Sequence, residues 1–405
     1  MNESLRKQFP ILSRDINGHQ LVYLDNAATT QKPKKVLEAM NDFYKEHNAN
    51  IHRGIHTLAA EATNLWLDAH KRAATFINAQ SEEEIIFTRN ATEGINLIAN
   101  TVGKQIVEEG GVIAISEMEH HSNIVPWQLI GARIEWIPML PDFTIDLEYL
   151  NFLTKKYKEQ LKLISIVHIS NVLGCKNDVA KVTEMAKKYC TAVLVDAAQS
   201  VQHVKVDVQQ IGCDFLVFSG HKLYGPTGTG VLYMKKEWGE KLEPWMGGGE
   251  MISSVKKTGA TWNDLPWKFE AGTPNIAGGV GLDAAISWFS DQFEYDSLHN
   301  HESKLVKTAM LGMKGIKSLK IFGSEDPEQH YGVVAFSIDG IHPHDIAGAL
   351  DERGIAIRAG YHCAEPLHER YGFGPTARIS VAPYNSLDEI RYFIDSLKEV
   401  VGQFS

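Results

Sequence analysis

DFLVFSGHKLYGPTGTG, residues 214–230, reads as an apolar strand that ends at Ser219 and hands over directly to His221, Lys222 and a glycine-rich turn. A strand apolar on both faces belongs in the middle of a parallel sheet covered by helices. Similar runs precede it: EEIIFT at 83–88, GVIAIS at 111–116, LKLISIVHIS at 161–170 and AVLVDAA at 192–198, separated by amphipathic stretches. Alternation of this kind predicts an α/β domain. Asn171, Asp196, Gln199, His221 and Lys222 then follow the apolar runs, at the carboxyl ends of strands, where open α/β sheets bind ligands.

Beyond the turn-rich AGTPNIAGG at 271–279 the pattern changes. A long helical stretch leads to GVVAFSI at 332–338, HDIAGALDERG at 344–354, IAIRAG at 355–360, RISVAP at 378–383 and a closing helix from Ser386. This predicts a smaller α+β domain. With 405 residues the chain exceeds what one core supports, and the expected division is an N-terminal segment 1–20 packing with the small domain, a large domain 21–285 and a small domain 286–405.

The net charge of −10, with 40 Lys and Arg scattered among 50 Asp and Glu, argues against nucleic acid or an anionic membrane as partner. No apolar run approaches a membrane span, and MNESLRKQFPILSRD lacks a signal-peptide core, so a cytoplasmic location is expected. Cys175, Cys190, Cys213 and Cys363 are too few and too irregular for a disulfide framework or a zinc site.

Several residue groups point to chemistry. Lys222 sits where burial would strip an amine of proton affinity, as imine formation requires; a solvated loop lysine is the ordinary alternative. Asp196 ends a strand and would serve a pyridinium nitrogen, with Gln199 on a ring hydroxyl, or would simply cap a helix. NATEGIN at 90–96 opens a helix after a strand, and its N–H groups with the Thr92 hydroxyl make an anion cradle, although Thr92 as a plain N-cap reads equally well. Ser219 and His221 are candidates for further phosphate contacts. The paired histidines of EMEHHSN at 117–123 have no third ligand at metal spacing, and no metal is expected; His120 stacked on an aromatic cofactor ring is the better account. RAGYHCAEP at 358–366 places Cys363 beside His362 and near Arg358, where cations would favour the thiolate. Arg378 suits a carboxylate clamp or a structural ion pair.

Taken together these segments resemble the group II (SufS-type) cysteine desulfurases, which share a site with the selenocysteine lyases, within the class V aminotransferase superfamily of fold-type-I enzymes dependent on pyridoxal 5'-phosphate. The resemblance runs almost the full length, through LDNAATTQKP at 24–33, NIHRGIHTLAAEAT at 50–63, TEGIN, HHSNIVPW at 120–127, HISNVLG at 168–174, DAAQ, SGHKLYGPTG, MGGGEMI at 246–252, FEAGTPN at 269–275 and the Cys363 loop. It implies a large domain with a mainly parallel seven-stranded sheet between helices. Lys222 would be the imine-forming lysine, with Asp196 and Gln199 on the ring and His120 above it. Thr92, Ser219 and His221 would take the phosphate, with Thr273 reaching it from the other subunit of a homodimer. Asn171 and Arg378 would hold the substrate carboxylate, with Arg53 and His52 nearby. Tyr361, Glu365 and the Asn90–Ala91 pair depart from the usual family residues.

The expected reaction converts L-cysteine to L-alanine, leaving a persulfide on Cys363 that passes to an acceptor of SufE or SufU type, for iron–sulfur cluster assembly. Alternatives are a selenocysteine lyase acting on L-selenocysteine, a simple aminotransferase in which Cys363 is incidental, and a cofactor-free sulfur carrier.

Overall fold

The computed structural model of the chain describes residues 3–404. Seven strands make the large sheet: β1 (Ile85–Thr88), β2 (Val112–Ser116), β3 (Arg133–Ile137), β4 (Leu161–Val167), β5 (Ala192–Asp196), β6 (Phe215–Ser219) and β7 (Gly230–Met234). Their spatial order is β1-β7-β6-β5-β4-β2-β3. The pairs among β2 to β6 are parallel, while β7 runs antiparallel to both β1 and β6. This is the fold-type-I architecture, α/β with a mainly parallel sheet.

Five of these strands stand out in the sequence as apolar runs. The other two do not, for different reasons. β3, Arg-Ile-Glu-Trp-Ile, is an edge strand whose residues are mostly half-exposed, so it lacks a continuous apolar signature. β7 is fully buried but begins inside the glycine turn that follows Lys222. Helices α1 (Thr57–Phe76) and α3 (Ile276–Gln292) pack on one another, with α1 also against β1, while α2 (Ala91–Ile98) packs on β6 and β7. α3 reads IAGGVGLDAAISWFSDQ and is buried along most of its length; a Cβ on Gly279 would lie 2.4 Å from the Trp66 ring of α1, so the small residue permits this close crossing.

The second body is an antiparallel sheet of β8 (Leu319–Phe322), β9 (Val333–Ile338), β10 (Arg358–Gly360) and β11 (Thr376–Ser380), ordered β8-β9-β11-β10. Helices α4 (Tyr295–Met313), α5 (Pro343–Asp351) and α6 (Leu387–Gln403) cover it. Ser386 and Glu389 form a reciprocal capping box at the start of α6. Leu305, Phe336, Ile379, Phe393 and Leu397 are among the apolar side chains that fill its separate core.

The N-terminal part of the chain stitches the two bodies together. Phe9 stacks edge-on against Trp288 and Tyr384, and Arg6 pairs with Glu389 of α6 at 2.5 Å. The short strand Val22–Tyr23 pairs in parallel with Ile355–Ala356, and Asp25 bridges to Ser380 of β11, so Val22 and Leu24 lie in the smaller core. Immediately afterwards the chain crosses to the large sheet, where the hydroxyls of Thr29 and Thr30 donate to the carbonyl of His221. Among the described residues no helix is long and apolar enough to cross a membrane.

Candidate active site

A cavity of about 210 Å³ opens between the two bodies, at the carboxyl edge of the large sheet. Lys222 lines it, held on a single helical turn (Gly220–Lys222) directly after β6. The carbonyl of His221 gathers the Thr29 and Thr30 hydroxyls and Nζ of Lys32 at 2.8 Å, which fixes this turn against the segment following residue 25. Burial lowers the Lys222 amine to about 8, against the opposing pull of Asp196. A neutral amine is therefore accessible near physiological pH, the state in which nitrogen attacks a carbonyl.

Asp196, the last residue of β5, is buried in the same cavity with its Oδ1 accepting from the Ala198 N–H at 2.9 Å. Burial raises its proton affinity, and Lys222 opposes that. Gln199 also lines the wall; its Nε2 donates to the carbonyl of Ala27 at 2.7 Å and its Oε1 accepts from Gln202.

The far end is built by the start of α2. Asn90, not Thr92, is the N-cap: its Oδ1 accepts from the Glu93 N–H at 2.9 Å. The simple capping role expected equally of Thr92 is thus taken by Asn90. Thr92 is left exposed on the first turn, lining the cavity. Ser219 Oγ accepts the Ala91 N–H at 2.9 Å, which leaves its own hydrogen to give to a ligand. β7 must come very close here, since a Cβ on Gly230 would lie 2.6 Å from the Asn90 backbone. His221 lines the same end, and burial and then Lys222 lower its imidazole to about 4.

His120 forms another wall. Its Nδ1 accepts from the Ser122 N–H at 3.1 Å, so the neutral ring carries its hydrogen on Nε2. Burial, then Lys222, lowers its proton affinity to about 3.

The smaller body contributes Arg358, His362, Cys363 and Arg378 to the same cavity. His362 and Cys363 both take left-handed backbone angles (φ 50° and 57°), an arrangement that costs energy for residues with a Cβ. Two cross-body bonds hold it: Asn171 Nδ2 donates to the His362 carbonyl at 2.8 Å, and the His121 N–H to the Cys363 carbonyl at 2.6 Å. Cys363 is half-buried. Arg378 is fully buried; its Nη1 donates to the Asn171 carbonyl and its Nη2 to Asp25 at 3.2 Å, while Nε has no partner. Asn171 Oδ1 is likewise unpartnered. Asp25 is also within 3.9 Å of Arg358 and so orients both guanidinium groups.

The sequence-predicted residues Lys222, Asp196, Gln199, Thr92, Ser219, His221, His120, Asn171, Arg358, Arg378 and Cys363 thus share one cavity. Thr273, Arg53 and His52 do not line it within a single chain. Thr273 lines a second cavity beside Trp66 and Trp245. Arg53 lies 3.8 Å from Glu250, and the His52 ring lies tilted against Trp267, with centroids 4.5 Å apart. Sequence reasoning missed Asp25, although it lies in the quoted LDNAATT run, because a lone carboxylate has no signature until two arginines arrive from remote strands. It also missed His121, which holds the cysteine loop with its N–H on the Cys363 carbonyl and the start of the following helix with its imidazole Nε2, which accepts the Glu365 N–H at 3.0 Å. Among the described residues no group of three or more His, Cys, Asp or Glu is placed to hold a metal.

The residues present fit pyridoxal 5'-phosphate. A buried carboxylate at one wall suits a pyridinium nitrogen, the open first turn of a helix with Thr92 and Ser219 suits a phosphate, and Lys222 has the lowered proton affinity that an imine needs.

Comparison with known proteins bears on the same point. The aminotransferase class-V family pattern matches residues 22–393. A probable cysteine desulfurase of Halalkalibacterium halodurans is 45% identical, covering 99% of this chain and 98% of its own. A cysteine desulfurase of Escherichia coli is 45% identical, covering 98% of each. Among solved structures, the Escherichia coli cysteine desulfurase CsdA superposes with a TM-score of 0.91 over 100% of both chains at 35% identity. The cysteine desulfurase of Thermococcus onnurineus superposes at 0.90, with 38% identity and 98% of each chain covered.

Proposed function

The chain belongs to the aminotransferase class-V family, and from that premise we propose how it works as a cysteine desulfurase: L-cysteine becomes L-alanine, and its sulfur is left as a persulfide on Cys363. The observation that carries this reading is that Lys222 and Cys363, from different bodies of the protein, line one cavity together with an unpartnered Arg378 Nε.

Pyridoxal 5'-phosphate, when bound, supplies an electron sink that weakens the bonds at the substrate Cα. Lys222 would hold it covalently, Asp196 and Gln199 would meet its ring, and Thr92, Ser219 and His221 its phosphate. Arg378 holds the substrate carboxylate through its unpartnered Nε–H, and Asn171 would reach the same group only through the second hydrogen of Nδ2, since its free Oδ1 is an acceptor. Lys222 Nζ takes the proton from Cα. Cys363 Sγ attacks the substrate sulfur; the S–S bond forms as the C–S bond breaks, its electron pair staying with carbon. The three-carbon remainder is protonated and leaves as L-alanine. We assign His120, whose neutral ring carries its hydrogen on Nε2 and lines the cavity, as the proton carrier.

An acceptor thiol then removes the outer sulfur by exchange. We assign this acceptor to the SufE or SufU type, the destination to iron–sulfur cluster assembly and the location to the cytoplasm. We also assign a homodimer, in which Thr273, Arg53 and His52, remote from the cavity in one chain, would complete the partner's site. The test is to incubate the purified holoenzyme with L-cysteine and a reductant. Equal yields of alanine and sulfide are expected, and borohydride reduction should fix the cofactor on the peptide containing Lys222. Transfer of the amino group to pyruvate without sulfide would overturn the assignment.

A further inference from the structure

His362 precedes the nucleophilic cysteine, and it is more than a spacer. The His368 Nδ1 lies 2.9 Å from the Ala364 carbonyl, which can only accept, so the hydrogen of that ring is on Nδ1 and its Nε2 is a lone pair. Thr376 Oγ lies 3.2 Å from this Nε2 and therefore donates to it. The same oxygen lies 2.9 Å from His362 Nε2, and having spent its hydrogen it accepts from that nitrogen. The hydrogen of His362 is therefore on Nε2, and its Nδ1 is bare. This Nδ1 is buried without any partner, on a side chain 4% exposed that lines the active-site cavity. A buried acceptor left unmatched costs stability unless a ligand satisfies it.

The groups that face the ring keep it neutral. Burial lowers its proton affinity to about 2, with Arg378, His368 and Arg358 acting in the same direction and the Thr376 main chain opposing them. Burial likewise lowers His368, against Ala364 and Glu365. Three buried polar atoms on residues that line the cavity are then unpartnered: a donor, Arg378 Nε, and two acceptors, Asn171 Oδ1 and His362 Nδ1. An amino acid with a carboxylate and hydrogens on nitrogen and sulfur complements that set.

We propose that His362 is a substrate-contacting residue whose bare Nδ1, locked in that state through Thr376 and His368, accepts a hydrogen from the bound amino acid, on its α-amino nitrogen or its thiol. The inference rests on the reading of the cavity as a cysteine site. Thr376 and His368 are positioning residues that act through the tautomer of His362. Without the Thr376 hydroxyl, the His362 Nε2–H loses its buried acceptor, the hydrogen moves to Nδ1, and the cavity presents a donor where it had a lone pair.

The experiment measures inhibition of sulfide release from L-cysteine by two ligands, using wild-type, Thr376→Val and Thr376→Ser holoenzymes. L-Alanine carries the amine without a thiol, and 3-mercaptopropionate the thiol without an amine. The valine variant is expected to raise the inhibition constant of the ligand that supplies the hydrogen by about tenfold, and serine to restore it to within about threefold. Whichever ligand responds identifies the source. Unchanged constants for both ligands, or a loss that serine does not recover, would overturn the proposal. Should the valine variant not load cofactor, His362→Asn and His362→Leu carry the test: asparagine is expected to retain an acceptor at the same position and the affinity with it, and equal losses in both would overturn the idea. A wild-type enzyme releasing no alanine and sulfide would instead remove the functional reading beneath it.

Discussion

The side-chain amide of Asn171 donates to the main-chain oxygen of His362, 2.8 Å away across the boundary between the two bodies. One residue in the turn that follows β4 thus holds the cysteine loop while its other amide atom, Oδ1, awaits a partner.

Asn171→Ala should loosen that loop and weaken substrate binding together. Loss of a buried hydrogen bond is worth about 1–3 kcal/mol, so KM for L-cysteine is expected to rise about tenfold, with faster amide hydrogen exchange across residues 361–364. A raised KM with unaltered exchange would mean that the loop is held by other contacts.

Cys363→Ala should abolish sulfide and alanine production from L-cysteine while the cofactor remains bound, because Cys363 belongs to the smaller body and none of the proposed cofactor contacts depends on it. Visible absorption of the bound cofactor and alanine yield are the two readouts; persistent alanine release would remove the thiol from the mechanism.

Lys222 gives a pH dependence. Burial places its amine at about 8 rather than 10.5, so cofactor uptake by apoenzyme should rise with pH and level off above about 8. The linkage has a definite sign: between about 8 and 10.5 the unfolded chain binds more protons at this site than the native one, and stability therefore increases with pH across that window. Urea midpoints of apoenzyme should climb over this range, and the climb should be shallower in Lys222→Met.

His203 Nδ1 lies 2.8 Å from Glu302 Oε2, with both side chains buried where the DAAQ segment meets α4. Removing one member of a buried pair typically costs about 3–5 kcal/mol. Glu302→Ala should therefore lower the urea midpoint markedly, whereas Lys398→Ala at an exposed pair on α6 should leave it almost unchanged. Equal effects would show that His203 tolerates isolation.

Much of this was legible in the sequence because the chemistry follows strand ends. Asp196 and Lys222 each come within three residues of the end of an unbroken apolar run, so period and polarity alone bring them to one sheet edge. The resemblance then located the remainder, including Arg378 and Cys363, which local pattern could not unite with a sheet more than a hundred residues earlier. What stayed hidden depends on backbone atoms and on tertiary neighbours: the His121 N–H on the cysteine loop, Asp25 between two arginines, and the hydrogen placement along Thr376 and His368. None of these leaves a periodic trace. Thr273, Arg53 and His52 were expected at the site by resemblance, and one chain by itself leaves them outside the cavity.

Because the chain runs along the smaller body at residues 22–25, enters the larger one after Asp25 and returns through α4, two separate crossings join the bodies. A single protease cut at either crossing would therefore leave the fragments interlocked, and the lysine and the thiol would stay in register even in a nicked molecule.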